Sequence, residues 1–238
     1  MTKLPLEEFP ALSAIGSCRH VFTQRIPGID VSHDKAEVLK RLNAAHTEIR
    51  HAAGMGDWPL FTAQQIHGNK VAVVDEVGSA LRADRGRRGA ASLPNREFPA
   101  CDGIITNQRG IVLGVYVADC CAVYIVDPKT PAISLVHSGR KGTELGVVTN
   151  AITQMIDRFG SDPANMIVQL SPCIRPPHYE VDFVAEILRR CRALGVKTIH
   201  DSGVCTACDL VRYYSYRAEK GKTGRMLALI GLNPTIVN

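Results

Sequence analysis

Residues 103–138 contain four short runs rich in valine and isoleucine, and these runs constrain the fold more than any other part of the sequence. They are GIITN, IVLGVYVA, CAVYIVD and AISLVHS, interrupted by turn-forming residues such as NQRG and DPKTP. Runs that are apolar at successive positions are typical of strands buried on both faces. The sequence therefore predicts a central β-sheet that is covered by helices.

Segments with helical periodicity lie on both sides of this β-rich region. We predict helices over 36–53, 142–160 and 183–195, further strands over 71–77, 166–172 and 225–232, and a helix or loop over 209–221. The first two helical segments are followed or closed by glycine, a common stop signal. Because strands and helices are mixed, with no repeat and no clear linker, we predict an α/β fold in a single domain spanning residues 1–238. The strand order does not follow from this pattern.

The composition sets limits on the class of protein. The chain has 238 residues, of which 45% are hydrophobic, so it can bury a core without disulfides. It has eight cysteines, but its first residues, MTKLPLEEFP, do not resemble a secretory signal. No run approaches the roughly 18 apolar residues that a membrane span needs. We therefore expect a cytoplasmic protein with reduced thiols and no membrane partner.

The net charge of +5 is concentrated in part in the segment 82–97, RADRGRRGAASLPNRE. This polar, non-periodic segment predicts a flexible loop, and a lid or an anion-attracting patch is the alternative interpretation. Aromatic residues are absent from it, so stacking on nucleic-acid bases has little support. We expect no nucleic-acid partner.

Three short motifs place metal-binding side chains next to glycine or acidic residues. His67 lies in QQIHGNKV, Cys120 in VADCCAVY and His137 in LVHSGRKG. One thiolate and two imidazoles give a tetrahedral ion three protein ligands and leave one position open, as in catalytic zinc sites. Their long separations do not match a zinc-finger motif. Taken singly, such a histidine is more often a surface or hydrogen-bonded core residue than a ligand, and such a cysteine is more often a small apolar residue.

Several polar residues near turns or strand ends are candidates for phosphate binding. They are Arg25, Arg140, Lys141, Arg217 and Arg225, and the segment YYSYRAEKGKTGR, which combines Ser215 with Arg217, is the best local candidate for an anion site. Taken individually, such a cation is more often a surface charge. Cys205 and Cys208 form a C-x-x-C pair that we interpret as two ordinary thiols, and a redox-active pair or half of a zinc site is the alternative.

The motifs occur in one order: QQIHGNKV, CDGIITNQRGIVLGVYVADCCAVYIVDP, HSGRKGT, SPCIRPPHYEV and SYRAEKGKTGR. In this combination the chain resembles the YfiH-like laccase-domain family, whose members were once labelled polyphenol oxidases and later described as purine nucleoside phosphorylases. The resemblance covers roughly residues 20 to 232. It implies a mixed β-sheet sandwich flanked by helices.

The resemblance also implies that His67, Cys120 and His137 bind zinc and act as catalytic residues. The implied reaction is phosphorolysis of adenosine, inosine and methylthioadenosine, with some adenosine deamination. For this reaction we take Arg25, Arg140, Lys141, Ser215 and Arg217 as the predicted contacts to substrate or phosphate. The chain departs from the usual family pattern at Arg140 and Lys141, where tryptophan and arginine are common.

Other functions are compatible with the same residues. A copper-dependent polyphenol oxidase is one, but multicopper sites need many imidazoles, and this chain has eight histidines and no His-x-His pair. Another is a metal-free cysteine hydrolase or amidase, linked to peptidoglycan editing, with Cys120 as nucleophile and His67 or His137 as base. The last alternative is a binding protein without catalytic activity.

Overall fold

The computed structural model describes residues 4–75 and 96–234, which form two packed β-sheets with helices on both outer sides. The predicted loop at 82–97 lies outside the described residues, apart from Arg96 and Glu97, which belong to a strand. No helix in the described ranges is both long and apolar enough to cross a membrane.

Within the described ranges each sheet has six strands, which are numbered in chain order. The first sheet runs, in spatial order, β1 (Leu6–Glu7), β2 (Cys18–Thr23), β12 (Met226–Leu232), β7 (Val112–Val117), β3 (Leu60–Ala63) and β5 (Arg96–Phe98). The second runs β11 (Thr198–Asp201), β10 (Ile167–Leu170), β8 (Cys121–Asp127), β9 (Ala132–Ser138), β6 (Gly103–Thr106) and β4 (Val71–Val74). Both sheets mix parallel and antiparallel pairs, so the predicted mixed α/β fold is confirmed.

The helices are α1 (Pro10–Ser13), α2 (Lys35–Ala52), α3 (Arg140–Glu144), α4 (Val147–Phe159) and α5 (Phe183–Ala193). Helix α2 packs on the first sheet, whereas α4 and α5 pack on the second. Helix α2 begins at an N-cap, because the carboxylate of Asp34 accepts a hydrogen bond of 3.0 Å from the Glu37 N–H group.

Strand β8 shows why the central runs are apolar at every position. Ala122 and Tyr124 point into the core between the two sheets, whereas Val123 and Ile125 point into the core under α4 and α5. The buried Tyr124 hydroxyl donates a hydrogen bond of 3.0 Å to the Val21 carbonyl, so this polar group is not left without a partner. The prediction that β8 is buried on both faces is confirmed. The prediction of one sheet covered by helices is wrong in one respect, because IVLGVYVA forms β7 of the first sheet and the inner face of each sheet packs against the other sheet.

The prediction of one helix over 142–160 is wrong in one respect, because this segment forms two helices, α3 and α4. Gly146 adopts a φ of 81°, which is incompatible with a continuous right-handed helix. Leu145 is 48% exposed at this break. For 209–221 the loop interpretation is correct, since the segment is made of turns.

Candidate metal centre

The three predicted ligands meet where the chain crosses from the first sheet to the second. His67 lies in the crossing from β3 to β4, Cys120 lies in the crossing from β7 to β8, and His137 is on β9 beside it. Their candidate ligand atoms all lie within 4.8 Å of one another. Residues distant in sequence therefore converge through two separate crossings of the sandwich.

A left-handed turn at Asp119 presents the Cys120 thiol. Asp119 has a φ of 82°, and its carbonyl accepts a hydrogen bond of 2.8 Å from the Ile174 N–H group. Its carboxylate accepts from the Thr206 hydroxyl at 2.8 Å and from the Arg217 N–H group at 2.6 Å. This network compensates for a backbone conformation that is otherwise costly outside glycine.

Asp102, immediately before β6, organises both histidines. Its buried carboxylate accepts N–H groups from Ile66, His67 and Gly68 at 3.2, 2.8 and 2.7 Å. These bonds hold His67 in its left-handed conformation, with a φ of 61°. The same carboxylate accepts a hydrogen bond of 2.9 Å from His137 Nδ1. Nε2 of His137 is therefore the nitrogen left for a metal.

The centre is strongly polarised. Burial raises the pKa of the Cys120 thiol, but the charge of His137 and hydrogen bonds with both histidines outweigh it and lower this pKa to about 6. Burial lowers the pKa of His137, whereas the Cys120 charge and the Asp102 hydrogen bond raise it to about 9. The surroundings thus favour the thiolate, which is the form of cysteine that binds metals.

The space and the donor set fit a metal ion. Cys120 Sγ lies 3.9 Å from His67 Nε2, near the separation of about 3.6 Å that two such ligands have on tetrahedral zinc. Gly139 makes room for the sulfur, because a Cβ at this position would lie only 2.5 Å from Cys120 Sγ. With three protein ligands, such an ion would keep one position open towards the adjacent cavity.

This cavity has a volume of about 370 Å³ and combines aromatic walls with cations. Besides the three ligands, its lining includes the aromatic residues Tyr116, Tyr179, Phe183 and Tyr216 and the cations Lys35, Arg140, Arg217 and Arg225. The aromatic residues and Lys35 were not singled out from the sequence. Only the fold brings these widely separated segments to one surface.

The predicted phosphate contacts divide into two groups. Arg140 and Arg217 line the cavity, whereas Arg25, Lys141 and Ser215 do not. Arg25 instead donates to the Tyr213 carbonyl and forms an ion pair of 2.8 Å with Glu219. Ser215 is fully buried, and Lys141 is exposed on α3. The structure therefore gives these three residues no contact with the cavity.

A mixed α/β sandwich with a His-Cys-His centre at its chain crossings defines a laccase-domain protein. Residues 16–190 and 181–233 match the family model described as multi-copper polyphenol oxidoreductase laccase. The chain belongs to this family, as the sequence motifs predicted.

Relatives of known name and structure agree with this assignment. The chain is 28% identical over 234 residues to purine nucleoside phosphorylase YlmD of Bacillus subtilis, covering 84% of this chain and 79% of that protein. It is 27% identical over 263 residues to a purine nucleoside phosphorylase of Deinococcus radiodurans, covering 96% and 93%. The crystal structure of YlmD from Geobacillus stearothermophilus shares the fold, with a TM-score of 0.74 and 22% identity over 92% of this chain and 93% of that one.

Proposed function

We propose that the protein is a zinc-dependent purine nucleoside phosphorylase that acts on adenosine, inosine and methylthioadenosine, with adenosine deamination as a side activity. One observation carries this proposal: a single cavity joins the His67, Cys120 and His137 centre to cations and aromatic side chains. The relatives named purine nucleoside phosphorylase support the same reaction class. All eight cysteines are free thiols, which supports a cytoplasmic location.

The donor set favours zinc over copper. Within the described residues, His67, Cys120 and His137 form the one group of three or more side chains placed to hold a metal. A multicopper oxidase needs several imidazole-rich sites, and the chain has no His-x-His pair. When bound, zinc would supply a Lewis acid beside the cavity.

Two demands of phosphorolysis correspond to groups that line this cavity. An oxygen of phosphate forms a bond to C1′ of the ribose while the bond between C1′ and the purine breaks, and the purine leaves with the electron pair. The chain must hold the phosphate with positive charge, bind the flat base and exclude water. The cations of the cavity would serve the first demand. Tyr179 and Phe183, in edge-to-face contact at 6.0 Å, would offer an aromatic surface for the second.

The test is purine release from adenosine and phosphate by the Cys120→Ala variant. Because Cys120 is one of three ligands, we expect release to fall by at least about 100-fold together with bound zinc. Cys208→Ala is the matched control, since Cys208 is exposed and outside the cavity, and it should behave as wild type. Wild-type rates in Cys120→Ala would remove the metal mechanism.

A second candidate is a metal-free cysteine hydrolase or amidase that takes part in peptidoglycan editing. It is favoured by two contacts, one between Cys120 and His137 and one between His137 and Asp102. Together they link a nucleophile to a base, and the base to a carboxylate that orients it. A chelator separates the two candidates. A cysteine hydrolase would survive EDTA and be inactivated by a thiol alkylator, whereas the zinc enzyme would lose its activity to EDTA and regain it with zinc.

A further inference from the structure

We propose that inorganic phosphate binds between Lys35 and Arg225, on the side of the cavity formed by the first sheet and α2. This inference rests on the proposed phosphorylase and names the residues that take its second substrate. It also replaces three of the sequence-predicted phosphate contacts, Arg25, Lys141 and Ser215, which do not line the cavity.

The register of the first sheet places Arg225 beside the metal centre. In the antiparallel pair of β12 and β7, Met226 lies opposite Val117. Arg225, one residue earlier, therefore lies opposite Ala118, two residues before Cys120. Arg225 lines the cavity, and its guanidinium carbon lies 5.7 Å from the ring centroid of Tyr216. The side chain is thus held at the end of the cavity where the ligands are.

Arg225 has hydrogen-bond donors left over for a ligand. Its Nη1 donates to the carbonyls of Thr223 and Gly224 at 2.9 and 2.8 Å, which fixes the guanidinium. Nε and Nη2 donate to no acceptor within residues 4–75 and 96–234. A fixed guanidinium with two free donors matches the geometry of a phosphate oxygen pair.

Lys35 brings a second positive charge to the same space. It is the first residue of α2 and lines the cavity with Arg225. Partial burial and the Arg225 charge lower the pKa of Lys35, whereas the charges of Glu97 and Asp102 raise it. In the described part of the chain, neither cation forms an ion pair with a carboxylate. An anion between them would relieve the repulsion.

The other two cations of the cavity already have carboxylate partners. Arg140 pairs with Glu144 at 2.9 Å, and Arg217 pairs with Glu180 at 2.8 Å. Arg217 also lies over the Tyr179 ring at 4.9 Å, on the side of α5. The cavity is therefore divided by charge. The side of Lys35 and Arg225 suits phosphate, and the side of Tyr179 and Phe183 suits the nucleoside.

The test measures binding of inorganic phosphate to the zinc-loaded protein by calorimetry, without nucleoside, and then the KM for phosphate in purine release. We expect Arg225→Gln and Lys35→Gln each to raise the Kd of phosphate by at least about 10-fold. Lys141→Gln removes the same charge from an exposed residue outside the cavity, so it should stay within about twofold of wild type. Equal zinc content and circular dichroism spectra establish that the variants are folded.

Two results would overturn the inference: wild-type protein that binds no phosphate, or variants of Lys35 and Arg225 that bind it normally while Arg140→Gln does not. The same experiment tests the proposed phosphorylase reaction independently of this phosphate subsite. Phosphate binding that depends on Arg225 in a protein that releases no purine would keep this subsite and reject the reaction. Purine release with an unchanged KM for phosphate in Arg225→Gln would reject the subsite and keep the reaction.

Discussion

His137 Nδ1 lies 2.9 Å from a carboxylate oxygen of Asp102, and both side chains are almost completely buried. Because a carboxylate only accepts hydrogen bonds, this contact fixes the His137 tautomer that leaves Nε2 for a metal. The same carboxylate holds the backbone around His67 through three N–H groups. One buried acid therefore positions two of the three candidate ligands.

The first prediction concerns this acid. Asp102→Asn places an amide NH₂ group against N–H donors, so it should disturb both histidines and weaken zinc binding by about 10–100-fold. Competition with a zinc-binding dye measures the affinity. Asp157→Asn, an identical change on the exposed face of α4, should leave the affinity unchanged. Equal affinity in the two variants would mean that Asp102 does not position the ligands.

The second prediction concerns the space around the thiol. Gly139→Ala would put a Cβ 2.5 Å from Cys120 Sγ, so the sulfur must move and zinc occupancy should fall severalfold. Elemental analysis of the purified protein gives the zinc content per chain. Gly16→Ala is the control, because a Cβ at Gly16 meets no atom within 4 Å. Full occupancy in Gly139→Ala would show that the metal does not need this gap.

The third prediction concerns stability in acid. Burial lowers the pKa of His20 to about 4, and its Nε2 accepts the Phe9 N–H group at 2.7 Å. Since the folded-state pKa lies below the unfolded value of about 6.5, the neutral form stabilises the fold above pH 6.5. This contribution is lost as the pH falls from 6.5 to 4, by about 2 kcal/mol between pH 7 and pH 5.

Urea unfolding of wild type and His20→Gln at the two pH values tests this prediction. Between pH 7 and pH 5 the free energy of unfolding should fall less in the variant than in wild type, even if the variant is less stable at both pH values. His200→Gln, at an exposed position of β11, should keep the wild-type loss. His46 has the same direction of shift from burial, so His20→Gln should remove only part of the acid sensitivity.

The sequence predicted which three side chains come together at the candidate metal centre, but not the groups that position them. His67, Cys120 and His137 stand out because few residue types bind metals and each lies beside a glycine or an acid. Asp102 contacts His67 and His137, which lie 35 positions before and after it in the sequence. The register of β6 with β9, in which Gly103 pairs with Val136, brings Asp102 to His137. The motif CDG before a buried strand was the available signal.

The cations that line the cavity were harder to predict for a different reason. A cation near a turn can point in any direction, and the sequence does not show which acid it meets. Arg25 is occupied by Glu219, which is 194 residues away, whereas Arg225 reaches the cavity because β12 pairs with β7. Pairing between distant strands decides such cases. It follows from the whole fold and not from a local pattern.

The fourth prediction concerns the reactivity of the metal-free protein. The pKa of Cys120 is lowered to about 6, so its thiol is mostly ionised at pH 7. A hydrogen bond with Cys205 raises the pKa of Cys208, which is exposed. Iodoacetamide should therefore label Cys120 faster than Cys208 at pH 7, as read by peptide mass spectrometry. Adding zinc should slow only the labelling of Cys120, because a metal-bound sulfur is no longer a free nucleophile. If zinc left both rates unchanged, Cys120 would not be a ligand, and the metal-free hydrolase would become the better description of the site.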